Sequence, residues 1–326
     1  MSSSPIVSFE GREIALRDKE TVLEALEREG VPVMSSCRAG VCQSCLMQAT
    51  DGQLPPKAQQ PLKESLRAQG YFLACVCVPE GNLSVALPGA GLEHEATVLE
   101  SEDIGAAVRR VRLTIPDGLD WFAGQYITVI RDALIARSYS IASGPSDGYL
   151  ELHVRRIPGG LVSNWLHDVV RPGDTLRFRG VFGDCFYTPG DEEAPLVLAG
   201  TGTGLAPLYG IIREALRHNH RGPITLYHGA VDESGLYLRT ELSALAGEGH
   251  IDYRPCVING EDTGEGFLTI GLLDEVVLGA NLDLKRTRAY LCGDPALVEK
   301  MRKKLFIKGL SSRRIFADAF VPTARP

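Results

Sequence analysis

Three cysteines, Cys37, Cys42 and Cys45, lie within nine residues at x4 and x2 spacing, and Cys75 follows after 29 intervening residues. No other stretch constrains the fold as tightly. Three side chains on one loop can meet a distant fourth only if the loop closes around a shared centre. A [2Fe–2S] cluster is held in this way, by three thiolates from one loop and one from a remote segment. The residues between the cysteines are small: Ser35, Ser36, Ala39, Gly40 and Ser44. Small residues let backbone N–H groups approach the sulfurs and help set the potential. The plain alternative is a surface turn, but the interleaving of these residues with the cysteines favours wrapping of a cluster.

Zinc and disulfides compete for the same thiols. Structural zinc sites usually pair two CxxC-like knuckles, whereas here three ligands crowd one loop and the fourth stands nearly alone. Eight cysteines would suggest a disulfide framework in a small secreted chain. This chain has 326 residues, and Met1-Ser2-Ser3-Ser4-Pro5 lacks the basic and apolar parts of an export signal. Reduced thiols and a cytoplasmic location are therefore expected. The net charge of −7 argues against a nucleic-acid partner, which calls for a basic surface. No apolar run approaches the ~18 residues of a membrane span, so no membrane partner is expected.

The length suggests two or three domains. Ile6–Phe9 and Glu13–Leu16 read as a hairpin around Gly11-Arg12. Thr21 and Glu24 form a capping box before Val22, Ala25 and Leu26, and Gly30 is a helix stop. Pro88-Gly89-Ala90-Gly91 reads as a linker. Short alternating runs follow at 96–99, 108–113, 126–130, 150–154 and 175–178, an all-β pattern that suggests a barrel. From about 191 strands alternate with helices. Strands are expected at 196–199, 224–227, 251–253, 289–292 and 314–316, with helices at 208–216, 240–246, 270–277 and 295–306. This is the pattern of a doubly wound α/β domain. The expected domains are 1–90, 91–190 and 191–326.

Two glycine-rich turns carry chemistry by their position. Pro158-Gly159-Gly160 leads to Ser163, a good N-cap, and a glycine approach to a helix N-terminus suits phosphate. Gly200-Thr201-Gly202-Thr203-Gly204-Leu205-Ala206-Pro207 follows the apolar strand 196–199 and opens a helix, which makes a dinucleotide site. Its spacing is not G-x-G-x-x-G. In Cys292-Gly293-Asp294-Pro295, Asp294 reads as an N-cap with Pro295 at the first helical position. A ribose diol accepts a carboxylate, whereas a 2′-phosphate wants a base. Asp232 and Glu233 follow the second strand of this domain with no base beside them. NADH is therefore expected, with Asp232 at the diol.

The hairpin and helix, the cysteine triplet and Leu73-Ala74-Cys75 resemble plant-type ferredoxin domains, which have the β-grasp fold. The resemblance implies that Cys37, Cys42, Cys45 and Cys75 are the ligands and that Cys77 is a buried apolar residue. Arg137-Ser138-Tyr139-Ser140 and the following glycine turn resemble the ferredoxin–NADP reductase superfamily. By that resemblance Arg137 and Ser138 lie at the flavin, Arg137 on its pyrophosphate. Tyr139 packs on the isoalloxazine, Ser140 sits near N5, and the amides of Gly160, Leu161, Val162 and Ser163 cradle phosphate. Val154 and Arg155 lie where the preceding strand passes the cofactor.

The turn after strand 196–199 resembles the superfamily's Gly-Thr-Gly-(Ile/Leu)-Ala-Pro phrase, placing Thr203, Gly204 and Pro207 at the dinucleotide. Cys292-Gly293-Asp294 resembles its turn beside the nicotinamide. Asp318-Ala319-Phe320 resembles the closing acidic-x-aromatic segment. There the acid lies near the hydride path and the aromatic covers the flavin. Phe320 stands where plant-type reductases have Tyr, and six residues follow it.

The resemblance implies a β-grasp ferredoxin domain, an antiparallel flavin-binding β-barrel and a doubly wound parallel-sheet NAD domain. It also implies FAD, with Ser140, Cys292 and Asp318 at the reacting atoms. The implied function is that of an oxygenase reductase: NADH to FAD to [2Fe–2S] to a protein acceptor docking near Arg38–Val41. A flavin must stand between the two ends, since nicotinamide gives two electrons together and the cluster takes one. Similar chains serve non-oxygenase systems such as deoxysugar dehydratases. A redox sensor is a further alternative.

Overall fold

The computed structural model describes residues 4–89, 92–260 and 268–321. The first unit contains β1 (Ile6–Phe9), β2 (Arg12–Ala15), α1 (Val22–Arg28), β3 (Leu46–Gly52), α2 (Pro56–Gln59), α3 (Glu64–Ala68), β4 (Tyr71–Leu73) and β5 (Leu83–Ala86). Its sheet runs β2-β1-β5-β3-β4, with β1 and β5 parallel. The turn before β2 uses Glu10 (φ 49°) and Gly11 (φ 79°). Arg12 therefore begins the strand opposite Phe9 and is not in the turn as expected. Thr21 and Glu24 form the capping box, with Glu24 N–H on Thr21 Oγ1 at 3.2 Å and Thr21 N–H on Glu24 Oε2 at 2.8 Å. Leu23 and Leu26 then bury against Leu46 and Phe72 in one core.

The second unit holds β6 (Glu93–Asp103), β7 (Val108–Leu113), β8 (Tyr126–Ile130), β9 (Ala136–Ser140), β10 (Leu150–Arg155), α4 (Leu161–Asp168) and β11 (Thr175–Phe182). The strands form an antiparallel sheet in the order β10-β7-β6-β11-β8-β9. A bridge between Ile141 and Leu152 joins its two ends, which closes the barrel around Val111, Ile127, Leu152 and Phe178. Ala90 and Gly91 of the expected linker lie outside the described residues.

The third unit holds β12 (Leu196–Thr201), α5 (Leu205–Arg217), β13 (Ile224–Ala230), α6 (Arg239–Gly247), β14 (Asp252–Val257), β15 (Thr269–Ile270), α7 (Leu273–Gly279), β16 (Arg288–Gly293), α8 (Pro295–Ile307) and β17 (Ile315–Ala319). All pairs in the sheet β15-β14-β13-β12-β16-β17 are parallel. Ile270 was expected to open a helix, but it pairs with Val257 instead. Gly271 then turns the chain and α7 starts at Leu273. The strand order reverses between β12 and β16. Ligands of doubly wound sheets sit outside the carboxyl ends of the strands at such a switch point. The two turns singled out in the sequence, after β12 and after β16, both lie there. Among the described residues no helix is long and apolar enough to cross a membrane.

Candidate active site

The cysteine loop closes as its small residues suggest. Cys37 N–H reaches Cys42 Sγ, and Cys42 N–H and Ala39 N–H reach Cys37 Sγ, each at 3.4 Å. The Cys42 thiol also lies on Ser44 Oγ at 3.3 Å. Cys75 pairs with Cys45 and receives the Gly40 amide. Gly40 needs its left-handed φ of 72° to present that amide, and a Cβ there would press Val76 at 3.1 Å.

The four thiols thus fall into two pairs, Cys37–Cys42 and Cys45–Cys75. Among the described residues no three such side chains converge as a single ion requires. Two thiol pairs ringed by amides suit a centre with two irons, one per pair. Cys77 lies outside both pairs. It is fully buried in the core, and burial pushes its thiol up to about 12.

The stretch expected at the flavin is β9, paired with β8 in the register Tyr126↔Ser140 and Thr128↔Ser138. Side chains alternate along a strand, so these four share one face, while Arg137 and Tyr139 occupy the other. Arg137 is half-buried, and its guanidinium donates to the carbonyl of Ala136 at 2.6 Å. Burial pushes the Tyr139 phenol up.

Ser163 was expected to cap α4, but the helix begins earlier. Gly159 (φ 70°) turns the chain, Gly160 is the N-cap, and Ser163 Oγ instead accepts from Ile157 N–H at 3.3 Å. The first intrahelical bond is Asn164 N–H to Gly160 carbonyl. The amides of Leu161, Val162 and Ser163 therefore precede it and have no intrahelical partner, as an anion site requires. The Gly160 amide is spent on Ile157 carbonyl at 2.8 Å.

A Cβ on Gly160 would lie 2.3 Å from Ser163 Oγ, so the turn that leads into these amides is tight. These features fit a bound phosphate group. On the strand that leads to this turn, the Val154 side chain is fully buried in the barrel core and its carbonyl accepts from His167 Nε2 at 2.8 Å. Arg155 is exposed and extends to the next turn, 3.1 Å from where a Cβ on Gly202 would stand.

At the switch point the two turns touch. A Cβ on Gly204 would lie 2.5 Å from the Cys292 carbonyl, and one on Gly293 2.7 Å from Thr201 Oγ1. Thr203 is half-buried, and Pro207 is buried in the first turn of α5. Asp294 caps α8 by accepting from Leu297 N–H at 2.9 Å, with Pro295 at the first position.

Cys292 is fully buried. Burial pushes its thiol up, so it is a neutral, polarisable wall and no thiolate. Its sulfur lies 3.7 Å from that of Cys185, a neighbour the sequence did not reveal. On β17, Asp318 sits opposite Cys292 and accepts from Ser140 Oγ at 3.0 Å. Burial pushes the Asp318 carboxyl up to about 6, although the Ser140 hydrogen bond pulls it down. Phe320 is half-buried and its N–H holds Gly293 carbonyl at 2.8 Å. Residues 322–326 of the segment beyond it lie outside the described residues.

Asp232 and Glu233 are exposed at the end of β13. The expectation of no base beside them needs correction, because Arg239, at the start of α6, donates to Glu233 Oε2 at 2.8 Å. It is six positions away in sequence and is brought back by the loop. The electrostatic field at this corner is therefore less acidic than the sequence implies, and the Asp232 carboxylate accepts from Ser234 Oγ.

The outer face of the cysteine loop is divided. Arg38 and Ala39 are exposed, and Arg38 pairs with Glu27 at 2.6 Å. Gly40 is buried. The Val41 and Cys42 carbonyls turn inward to the barrel: Tyr126 Oη donates to Val41 at 3.0 Å, and Ser138 Oγ to Cys42 at 3.0 Å.

Comparison with known proteins agrees with this geometry. Residues 7–80 match the 2Fe-2S iron-sulfur cluster binding domain, 95–187 the oxidoreductase FAD-binding domain and 198–303 the oxidoreductase NAD-binding domain. The reductase subunit of an aromatic O-demethylase from Amycolatopsis is 36% identical over 98% of this chain and 99% of its own. The ferredoxin–NAD(P)+ reductase component of a Pseudomonas putida naphthalene 1,2-dioxygenase system is 32% identical over 92% and 93%. Among solved structures, the Amycolatopsis cytochrome P450 reductase GcoB superposes with a TM-score of 0.69 at 32% identity, covering 98% of this chain and 100% of that one.

Proposed function

The chain belongs to the three-domain reductases that join a [2Fe–2S] ferredoxin domain to the FAD- and NAD-binding domains of the ferredoxin–NADP reductase superfamily, and we propose that it passes electrons from NADH to a terminal oxygenase. One observation carries the reading: Ser138 and Ser140, two positions apart on β9, bind the cluster loop and the acid of the third unit respectively. The entry and exit of electrons meet on one strand. Flavin, when bound, accepts a hydride and gives up its electrons singly. The cluster ligands in this reading are Cys37, Cys42, Cys45 and Cys75, and the domains divide near 90 and 190.

The chain's own residues do the rest. Arg137 and the free amides at the head of α4 hold the flavin pyrophosphate. Thr203, Gly204 and the Cys292-Gly293 turn bring the dinucleotide backbone close. Cys292 walls the nicotinamide without charge. Asp318, ionised at neutral pH, fixes the Ser140 hydroxyl and places a negative charge where the departing hydride leaves a cationic ring. Phe320 covers the flavin side of this crevice. The acceptor docks on the cluster loop at Arg38–Val41, where the Arg38, Ala39 and Val41 side chains are exposed, and the protein works in the cytoplasm without membrane or nucleic acid.

Anaerobic NADH is expected to bleach both flavin and cluster absorption, and the reduced protein to support turnover of a purified terminal oxygenase. With Asp232 at the ribose diol, kcat/KM is expected to be on the order of tenfold or more higher with NADH than with NADPH, a carboxylate being repelled by a 2′-phosphate. Flavin that NADH does not bleach would sink the reading, and preference for NADPH would remove Asp232 from it. Arg137→Ala is expected to raise the FAD dissociation constant by roughly tenfold to a hundredfold, the loss of a charge-assisted contact, measured from the fluorescence of released flavin. Unchanged affinity would move the pyrophosphate elsewhere.

A further inference from the structure

Three successive residues of the cysteine loop are held by the barrel. Tyr126 Oη donates to the Val41 carbonyl at 3.0 Å and accepts from Gln43 Nε2 at 3.1 Å. The Cys42 carbonyl between them lies 3.0 Å from Ser138 Oγ and 3.4 Å from Thr128 Oγ1. The joint is also apolar. Tyr126 and Phe182, both barrel residues, belong to the core cluster of the first unit together with Leu46, Leu73 and Cys75. Their rings are 5.8 Å apart. The barrel is shaped to admit Tyr126, since a Cβ on Gly183 would lie 3.0 Å from its ring. The loop is shaped to meet it as well. Gln43 takes a left-handed φ of 56°, a conformation a non-glycine residue holds only when its surroundings over-determine it.

From these contacts we infer that Tyr126 is a positioning residue for the internal electron step: it fastens the cluster loop to the flavin-bearing hairpin, so that the ferredoxin unit stays docked during turnover instead of swinging to its acceptor. The inference rests on the cluster ligands and flavin site proposed above. A swinging unit would present a polar, separable joint at its cofactor edge. Here that edge is sealed by two aromatic rings and by hydrogen bonds to three consecutive residues. Thr128 and Ser138 share the Cys42 carbonyl, with their hydroxyls 3.1 Å apart, so the clamp is continuous along the face of β8 and β9. The acceptor must then come to the exposed Arg38, Ala39 and Val41 side chains, because the Val41 and Cys42 carbonyls and Gln43 are taken by the barrel.

The test uses the full holoprotein with Tyr126→Phe, which keeps the ring and removes both hydrogen bonds, and Thr128→Val as a second variant. Amide hydrogen exchange over residues 38–44 is expected to quicken by about tenfold in Tyr126→Phe, as two buried hydrogen bonds are lost. NADH-driven reduction of ferricyanide, which draws on the flavin, is expected to be unchanged. Reduction of cytochrome c, which draws on the cluster, is expected to fall several-fold, and Thr128→Val is expected to shift both readouts in the same direction by less. Unchanged exchange with an unchanged ratio of the two acceptors overturns the clamp. An equal fall with both acceptors also overturns it, since Tyr126 would then act at the hydride end. If the wild-type protein lacked the cluster spectrum altogether, the functional reading would have failed instead.

Discussion

Cys75→Ser is expected to abolish the cluster's visible absorption and its EPR signal on reduction, while Cys77→Ser keeps both. The two residues are two positions apart and chemically identical, and only their surroundings differ. Cys75 turns to Cys45 and receives the Gly40 amide, whereas Cys77 is fully buried in the core. Removing one of four thiolates leaves one thiol of a pair without its partner, and a metal centre whose binding is part of folding is lost with its ligand. Cys77→Ser instead buries a hydroxyl among apolar groups, at a cost of about 1–3 kcal/mol. Its melting temperature falls while its spectrum remains. The opposite pattern, with the spectrum lost only in Cys77→Ser, would reverse the ligand assignment.

Asp318→Asn is expected to stabilise the protein and to slow its reduction by NADH. Burial raises the Asp318 carboxyl from 3.8 to about 6 in the fold. A raised carboxyl pKa means that the folded state holds the proton more tightly than the unfolded chain does. Its contribution is therefore fully present below pH 3.8 and is lost as pH rises through about 6. At pH 8 the ionised group costs about 2 kcal/mol, after discounting for its partial exposure. Asparagine carries no charge at any pH, so the variant gains that amount at pH 8 and nothing at pH 4. Flavin reduction is expected to slow by roughly a hundredfold, because an oriented charge at the reacting atoms has been removed. Denaturant melts at the two pH values and stopped-flow reduction measure the two effects. A variant as fast as the wild type, or no more stable at pH 8, would remove Asp318 from the hydride end.

Much of this architecture was legible because its signals are local. The cysteine spacing, the Thr21–Glu24 box and the Asp294-Pro295 cap each lie within one turn or loop, where chemistry and geometry coincide. The errors came where local logic allowed two answers. Ser163 is a better N-cap by type than Gly160, but the left-handed Gly159 had already turned the chain. Arg239 escaped notice because a loop separates it from Glu233. The most informative contacts are the least local: Ser140 and Asp318 are 178 residues apart, and Ser138 and Cys42 are 96. No periodicity in the sequence encodes such pairs.

The hairpin of β8 and β9 has a consequence for how chains of this kind can vary. Its two faces do different work: Tyr126, Thr128, Ser138 and Ser140 on one, Arg137 and Tyr139 on the other. Because strand side chains alternate with a period of two, a slip of one residue exchanges the faces. Gaining or losing a single residue in the tip at 131–135 would tend to turn the serines outward and the arginine inward, uncoupling inlet, outlet and cofactor together. The parity of the tip's length thus fixes which side chains face the cluster loop and which face the other way.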